Sequence, residues 1–545
     1  MSFLEDKYIL VVDDSNLILS AIKLLLLKEG AQSQNIVLAK DSYSTVKACN
    51  NQSFDFIIFD YNLGDDEDGL QLLAYLTMGK LIPNNCVVLI VSAEQSREVV
   101  QGFTEWEPDG YFVKPFNMQS ILPRMHACYR KKAAFIELES CYLKYGFELA
   151  NQQLNKSLDT PYYTNYKVQL LTWDGQTSAA NKIQKQLILQ GDEDTRLSYA
   201  KWLLNAGDLK QAHEVVQPLL AIPRFRLAAL ELSANACLVQ GLLQQAHDFL
   251  LQMNKLAPDN PKRLLIQFNI AVILNNKKHI QKSAERYHKV TQQLSWLNID
   301  CHFNLLRFLV SQIERLSSEA YTDEFKRLQA TYINKRYIIL IALRRSESRT
   351  SQLHEIKPIV DARYALCHGD LQPALKLIEQ YRSYSSYEAL PFYCQLDMLH
   401  LYRKLSIPLP DFIQQVSFDD YSQQLLFQHT LRLTHTYQQQ LETQLRNIET
   451  AENNQLYAEA VSITIKTIET YGMNLPLAKM LIHGFIKGIP LDIPQTQLKY
   501  CYFTAKRTLM INKNQFQSSD IYVNYCRYLE STISFLKAES LVNYD

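Results

Sequence analysis

The chain has no apolar run long enough to cross a membrane, and it carries no net charge. The longest candidates, Leu24–Leu27 and Ile338–Leu343, are far shorter than the roughly 20 apolar residues that a spanning helix needs. Equal numbers of basic and acidic residues, 56 of each, argue against a general binder of polyanions. The acidic start, with Glu5 and Asp6, lacks the charge pattern of a signal peptide. We therefore expect a cytoplasmic protein with no membrane partner.

Cysteine is present, but it is not arranged for a metal site or a disulfide framework. The ten cysteines are scattered, and the closest two, Cys128 and Cys141, are 13 positions apart. Zinc sites and disulfide frameworks follow spacing rules that this pattern does not meet. We interpret these residues as buried free thiols in a reducing compartment.

Glycine becomes scarce after about residue 130. Six of the 15 glycines lie before residue 131, and nine are spread over the 415 residues that follow. Glycine-poor sequence that is rich in Leu, Gln, Lys, Ala and Tyr favours one helix after another. Because 545 residues exceed what one compact core usually takes, we expect several domains. We predict one domain over 1–130, a connecting helix or helices over 131–168, and an all-helical domain over 169–545.

Residues 1–130 alternate between apolar runs typical of buried strands and stretches typical of helices. The predicted strands are Tyr8–Val12, Ile36–Leu38, a run ending at Asp60, Cys86–Val91 and Gly110–Val113. The predicted helices are Asn16–Glu29 with Ser15 as its cap, Asp41–Asn51, Gly69–Met78, Ser96–Phe103 and one from about Asn117. This alternation predicts a doubly wound α/β fold, with a parallel five-stranded sheet between two layers of helices.

Polar residues follow the predicted strands at the points where they end. They are Asp13, Asp14, Asp60, Ser92 and Lys114. The carboxyl ends of parallel strands share one edge of the sheet, and open α/β sheets bind ligands there. Carboxylates suit Mg²⁺, and a lysine ammonium can neutralise the oxygens of a phosphoryl group during its transfer. We predict that Asp60 is a nucleophile that accepts phosphate.

Five short motifs give this region a resemblance to a known family. They are VVDDS at Val11–Ser15, IIFDYN at Ile57–Asn62, DGL at Asp68–Leu70, VSAE at Val91–Glu94 and YFVKPF at Tyr111–Phe116. Residues 1 to about 130 therefore resemble the receiver domain of two-component response regulators, which has a flavodoxin-like fold.

The resemblance assigns the acceptor and the metal ligands. It implies that Asp60 takes phosphate from a sensor histidine kinase or phosphotransfer protein, with Mg²⁺ as cofactor. Asp14 would bind the metal directly and Asp13 mostly through water, while Asp60 and the backbone carbonyl of Asn62 complete the set.

The resemblance also implies which residues change position on phosphorylation and which set the lifetime of the bound phosphate. Ser92 and Lys114 would hold the phosphoryl group, and Tyr111 would turn inward when Ser92 moves. Asn62 and Glu94 would tune the lifetime of the phosphate. The chain departs from many receivers at Gly64, which stands where they have proline, and the loop Gly64–Asp68 is unusually acidic.

Other interpretations of the first domain stay open. A single acid at a strand end is often only a turn or capping residue. A degenerate receiver could act as a constitutive scaffold. A haloacid-dehalogenase-like phosphatase would need a second acid at the position of Asn62, and no GxGxxG motif supports dinucleotide binding.

A six-residue pattern recurs in the second part of the chain. Gly207–Ala212 is repeated 34 residues later as Gly241–Ala246. Related copies lie at Gly175–Ala180, Gly369–Ala374 and, less closely, Gln455–Ala460. Glycine would end one helix, and alanine would let the next pack closely, so we predict helical hairpins that stack into a solenoid. The pattern resembles tetratricopeptide repeats, with an unrelated α-solenoid as the alternative.

These features predict a phosphorylation-switched interaction protein. Its partners would be a kinase, a protein or peptide bound by the helical repeats, and, after phosphorylation, a second copy of the chain. The alternative is a DNA-binding transcriptional regulator with an atypical helical output, but the neutral charge makes a nucleic-acid partner the weaker prediction. We interpret the basic triplet Arg130–Lys132 as a solvated helix face. We find no enzyme motif after residue 130 and expect no catalysis beyond the receiver's own phosphoryl transfer and dephosphorylation.

Overall fold

The computed structural model of the chain divides it into two compact units, Met1–Gln267 and Phe268–Asp545. Each unit is described by itself. The residues that the structure describes are 3–63, 69–93, 106, 108–114, 118–156, 162–190, 193–258, 260–291, 299–316, 322–344, 350–418, 420–512 and 519–536.

The first unit begins with one parallel sheet. Its strands are β1 Ile9–Val12, β2 Ile36–Ala39, β3 Phe56–Asp60, β4 Val87–Ser92 and β5 Gly110–Val113. The order is β2-β1-β3-β4-β5, and every neighbouring pair is parallel. All residues of β1, β3 and β4 are buried, as expected for strands covered by helices on both faces. The predicted α/β class and the five parallel strands are confirmed.

The helices beside the sheet begin and end close to the predicted positions. They are α1 Asn16–Lys28, α2 Ser42–Asn51 and α3 Gly69–Met78. Ser15 occupies the N-cap position of α1, but its side chain makes no capping hydrogen bond. Its backbone N–H instead donates to Oδ1 of Asp13 at 2.9 Å. The predicted helix Ser96–Phe103 lies outside the described residues.

The remaining described elements are helical. The helix α4 spans Met118–Tyr145 without interruption. The other helices of the first unit are α5 Phe147–Asn155, α6 Tyr163–Trp173, α7 Thr177–Gln190, α8 Glu193–Asn205, α9 Leu209–Val216, α10 Arg226–Val239 and α11 Leu243–Leu256, followed by α12 Pro261–Ile273 at the division between the units. Those of the second unit are α13 Lys277–Thr291, α14 Ile299–His302, α15 Asn304–Leu316, α16 Asp323–Arg344, α17 Thr350–Leu366, α18 Gln372–Gln380, α19 Tyr384–Glu388, α20 Phe392–Leu405, α21 Tyr421–Asn453, α22 Tyr457–Tyr471, α23 Leu475–Lys487, α24 Gln495–Ile511 and α25 Ser519–Thr532. Within the described residues, none of these helices is long and apolar enough to span a membrane.

The repeated pattern marks turns between helices, as its glycines predict. In four of the five copies of the pattern the first residue is a glycine with a positive φ angle. In the fifth copy this position is Gln455, which has a φ of 61°. The four glycines are Gly175, Gly207, Gly241 and Gly369. The alanine at the end of every copy is buried, at Ala180, Ala212, Ala246, Ala374 and Ala460. Asn275, with a φ of 52°, makes a similar turn that the pattern missed because asparagine replaces glycine. The helical hairpins are present, while their identity as tetratricopeptide repeats stays a prediction, as do the predicted domain boundaries.

The basic triplet Arg130–Lys132 fits its predicted role only in part. Arg130 and Lys131 are exposed, but Lys132 is half-buried. Its Nζ donates to Oδ2 of Asp109 at 2.7 Å and to the carbonyl of Cys86 at 2.5 Å. The expectation of a wholly solvated face was therefore wrong at Lys132, because the partly buried carboxylate of Asp109, just before β5, provides a partner.

All ten cysteines lie among the described residues, and each is a free thiol. Six are buried and four are partly exposed. The interpretation of the cysteines as buried free thiols therefore holds for the six buried ones, while the other four are free but partly exposed.

Candidate functional site

The carboxylate of Asp60 lies at the carboxyl end of the central strand β3. Its side chain is largely buried, and Oδ1 accepts the backbone N–H of Tyr61 at 2.8 Å. Gly69 begins α3 directly against this turn, and its N–H donates to the carbonyl of Tyr61 at 2.6 Å. A Cβ at Gly69 would come within 2.3 Å of the Asp60 carbonyl oxygen, so any larger residue would displace the strand end. Glycine is therefore needed here to hold the acceptor in place.

Lys114 lies between two carboxylates at this edge of the sheet. Its Nζ is 2.8 Å from Oδ2 of Asp13 and 2.9 Å from Oδ2 of Asp60. Its backbone N–H donates to the carbonyl of Ser92 at 2.9 Å, which continues the β4–β5 ladder past the last residue of β5. Lys114 is therefore held in place by contacts of both its backbone and its side chain. Residues that are 47 to 101 positions apart in the sequence meet here.

The oxygen atoms at this edge fit a hard divalent cation. One carboxylate oxygen each from Asp13, Asp14 and Asp60 lies within 4.8 Å of the others. Among the described residues, these three form the one group of His, Cys, Asp or Glu side chains whose ligand atoms lie close enough together to hold a metal ion. Asp13 and Asp60 are buried while Asp14 is exposed, so an ion would reach the group from solvent. Such a set of oxygen ligands suits Mg²⁺, which keeps part of its water shell.

Burial and nearby charges shift the ionisation of the two central groups. Burial raises the pKa of Asp60 above its usual 3.8, and the neighbouring Lys114 opposes this shift only in part. Burial would lower the pKa of Lys114, but hydrogen bonds and charge from Asp13 and Asp60 outweigh it and raise that pKa. Lys114 therefore stays a cation, and ionised Asp60 is held at a cost to folding stability.

We expect Asp60→Asn to stabilise the metal-free protein at neutral pH. Because the folded-state pKa of Asp60 is raised, the folded protein binds this proton more tightly than the unfolded chain does. The stability that the proton provides is complete below pH 3.8 and is lost as the pH rises through the folded-state pKa. Urea unfolding in a chelator should show the variant gaining over wild type as the pH rises to neutrality. A constant difference at all pH values would contradict this account.

The remaining predicted site residues occupy the same region. Ser92 is buried at the end of β4, and its strand neighbour Val91 pairs in register with Asp60. Tyr111 on β5 pairs with Ile90 on β4 and is half-buried. Asn62 is exposed two residues after the acceptor. Glu94 and the acidic loop Gly64–Asp68 lie outside the described residues.

Sequence reasoning missed a second cluster, at the opposite end of β5. Asp109 directly precedes β5, and its Oδ2 accepts the N–H of Val88 at 2.9 Å as well as the Lys132 ammonium. The carbonyl of Asp109 accepts from Nε and Nη2 of Arg124 at 3.1 and 3.0 Å. Arg124 and Lys132 both belong to α4, so this helix is attached to the base of β5. No sequence motif signals these contacts, since each of them joins residues far apart in the chain.

Comparison with known proteins agrees with this arrangement. The family model of the response regulator receiver domain matches residues 9–126. The chain is 30% identical over 131 residues to the transcriptional regulatory protein KdpE from two strains of Mycobacterium tuberculosis, covering 24% of this chain and 54% of the relative. The chain thus spans about half the length of the curated relatives it matches. Among solved structures, the chain is similar to the Vibrio cholerae chemotaxis protein CheY4, with 25% sequence identity and a TM-score of 0.20. This match covers 22% of the present chain and 94% of the CheY4 chain.

The family match covers all five strands and every described residue of the acidic site. Residues 9–126 are therefore a response regulator receiver domain, and the described elements that follow it are helical.

Proposed function

We propose that this chain is a response regulator of a two-component phosphorelay, with Asp60 as its phosphate acceptor and the helical region as its output. The observation that carries the proposal is the position of the Lys114 ammonium, within 2.9 Å of the carboxylates of both Asp13 and Asp60. This arrangement combines a nucleophile, a fixed positive charge and metal ligands at one edge of the sheet.

The chemistry is an in-line phosphoryl transfer. A carboxylate oxygen of Asp60 attacks the phosphorus of a phosphohistidine; the P–N bond breaks, the imidazole leaves and takes up a proton, and an acyl phosphate forms. Lys114 moves from its bond with Asp60 to an oxygen of the phosphoryl group, and the Ser92 hydroxyl donates to another. Asp13, Asp14, Asp60 and the Asn62 carbonyl would hold Mg²⁺, which supplies positive charge to the phosphoryl oxygens when bound.

The strand β5 gives this event a route to the helical region. Lys114, which follows β5, contacts the acceptor, whereas Asp109, which precedes it, holds Lys132 of α4. A shift of Lys114 toward a phosphoryl group therefore acts on a segment whose other end anchors a helix. Tyr111 lies on this same strand, in the position that the family resemblance assigns to the switching aromatic.

Helix α4 itself is shared between the sheet and the helices that follow. Beyond Lys132 it contributes Phe135 and Tyr142 to an aromatic cluster with Tyr166 and Trp173 of α6. The hydroxyl of Tyr142 donates to the carbonyl of Trp173 at 2.8 Å, and that of Tyr166 donates to the carbonyl of Lys131. A change in the position of α4 would thus be passed to α6 through packed rings and hydrogen bonds.

Replacing Lys132 with Met is expected to uncouple the helices from phosphorylation without blocking the chemistry. With Mg²⁺ and beryllofluoride, wild type should change the amide exchange rates of α5 and α6 by at least about threefold. Lys132→Met should lose that change, keep a wild-type rate of phosphorylation, and lower the unfolding free energy by about 1–2 kcal/mol. Hydrogen-exchange mass spectrometry and acetyl phosphate kinetics measure the two quantities.

Lys131→Met is the matched control, because Lys131 is exposed and the lysine that pairs with Asp109 is its neighbour Lys132. This control should behave as wild type in both measurements. An undiminished exchange response in Lys132→Met would contradict the proposed route through β5.

We further propose that the output consists of protein contacts made by the helices, either with a peptide or protein partner or with a second copy of the chain. Asn62 and Glu94 would set how long the phosphate persists, and the protein would act in the cytoplasm. The buried acceptor and its lysine favour an active receiver over a degenerate one, since a scaffold has no need of a carboxylate held at a raised pKa.

A further inference from the structure

Basic residues are concentrated in one part of the helical region. Residues 251–350 contain 17 lysines and arginines but only eight acidic residues. On α13, four of them follow one another at intervals of four, four and three positions: Lys278, Lys282, Arg286 and Lys289. These intervals place them on one face of the helix, and all four are exposed. The neutral overall charge therefore hides a basic stripe.

An exposed apolar stripe lies on α16 of the same unit. Ile333, Tyr337 and Ile341 recur every four residues, and they are 59%, 66% and 40% exposed. Ile338 beside them is 45% exposed. Single exposed apolar residues are ordinary, but a run of them on one helix face marks a contact surface. The stripe covers roughly 12 Å along the helix, which is about two turns.

A cavity of about 210 Å³ lies between these two helices. Both α13 and α16 pack on α15, which contributes to the cavity floor. The cavity is lined by Leu305, Ile338 and Ile339, with Glu285, His288 and Lys335 as its polar residues. The basic stripe and the apolar stripe thus belong to the two helices that line one opening.

One polar atom in the cavity wall has no partner among the described residues. The Nε2 atom of His288 is buried and makes no hydrogen bond. The hydroxyl of Thr291 donates to the carbonyl of Tyr287, so it can only accept from Nε2 of His302, 3.4 Å away. His302 must then accept through Nδ1, 3.0 Å from Nδ1 of His288, which donates. In neutral His288 this leaves Nε2 as an acceptor that no donor among the described residues uses.

We propose that this surface binds an acidic amphipathic segment of a partner protein. An apolar side chain of the segment enters the cavity beside Ile338, other apolar residues cover the stripe on α16, and carboxylates meet the lysines of α13. Nucleic acid fits less well, because its phosphates gain nothing from the aliphatic stripe. The proposal names the contact surface of the output region, but it does not require phosphorylation of Asp60.

The test uses the full-length chain carrying Asp60→Asn, so that its outcome is independent of the phosphoryl switch. The probe is a fluorescein-labelled peptide with leucine and phenylalanine on one helical face and glutamate on the other, and fluorescence anisotropy measures its affinity. Lys278→Glu with Lys282→Glu, and separately Ile338→Asp, should each weaken binding about tenfold or more. Lys182→Glu with Lys185→Glu, which reverses two exposed lysines on α7, should leave the affinity unchanged.

A polyglutamate peptide of the same charge and a duplex DNA serve as competitors. The proposal requires that neither displaces the probe at equal concentration. It is overturned if the probe does not bind saturably, if Ile338→Asp binds as well as the parent, or if polyglutamate or DNA displaces the probe fully. The last result would identify a general polyanion site. The exposed positions of the changed residues keep folding intact, which the helical circular dichroism and melting temperature of each variant check.

Discussion

Lys114→Met is expected to slow the phosphorylation of Asp60 by acetyl phosphate about 10²- to 10³-fold. The ammonium lies 2.9 Å from the accepting carboxylate, and it supplies positive charge where the phosphoryl oxygens develop negative charge. Methionine keeps the length of the side chain but removes the charge. The initial rate of phosphoprotein formation with Mg²⁺ measures the effect.

The matched control is Lys47→Met, which removes an exposed lysine of α2 and should leave the rate unchanged. Lys114→Arg, which keeps the charge in a larger group, should give an intermediate rate. If Lys114→Met reacted within about threefold of wild type, Lys114 would have only a structural role, worth less than about 1 kcal/mol in the barrier.

The second large effect is expected in the second unit, where Asp397→Ala should cost about 3–5 kcal/mol of stability. Asp397 is buried between two buried arginines: Oδ2 accepts from Nε of Arg307 and Oδ1 from Nη1 of Arg363, both at 2.7 Å. Arg307 also donates to Asp300, which in turn accepts the N–H of Tyr393. Alanine would take the carboxylate away from Arg363 and leave Asp300 as the acidic partner of Arg307. Urea unfolding followed by helical circular dichroism measures the loss.

Glu442→Ala provides the comparison, since Glu442 pairs with Arg446 on the exposed surface of α21. Exposed pairs four residues apart contribute only about 0.3–0.5 kcal/mol. Equal losses in the two variants would mean that the arginines beside Asp397 find other partners or water.

The receiver site could be predicted because its chemistry lies at the ends of strands. Asp60 and Lys114 follow buried apolar runs, and the alternation of strands and helices brings such positions to one edge. The helical hairpins were predictable at Gly207 and Gly241 for a similar local reason, because the positive φ angles of these turns favour glycine.

Contacts between distant surfaces could not be predicted in this way. Lys132 belongs to a basic triplet that looks solvated, and only the fold brings it to Asp109, 23 positions earlier. The ion pairs of Asp397 join side chains from three helices, α15, α17 and α20. These helices are separated in the sequence, so no local sequence pattern predicts the pairs. The basic stripe on α13 was overlooked because a balanced net charge says nothing about how charges are distributed. Hydrophobic periodicity predicts which face of a helix or strand is buried, but it does not predict which other element packs against that face.

The central claim is that Asp60 becomes an acyl phosphate. The most direct measurement is incubation of the full chain with acetyl phosphate and Mg²⁺, reduction of acyl phosphate with borohydride, and location of the reduced residue by mass spectrometry. The account predicts a single reduced aspartate at Asp60, lost in Asp60→Asn and in the presence of a chelator, and retained in Asp6→Asn, which changes an exposed acid. Absence of any reduced residue, or a reduced residue elsewhere that persists in Asp60→Asn, would contradict it.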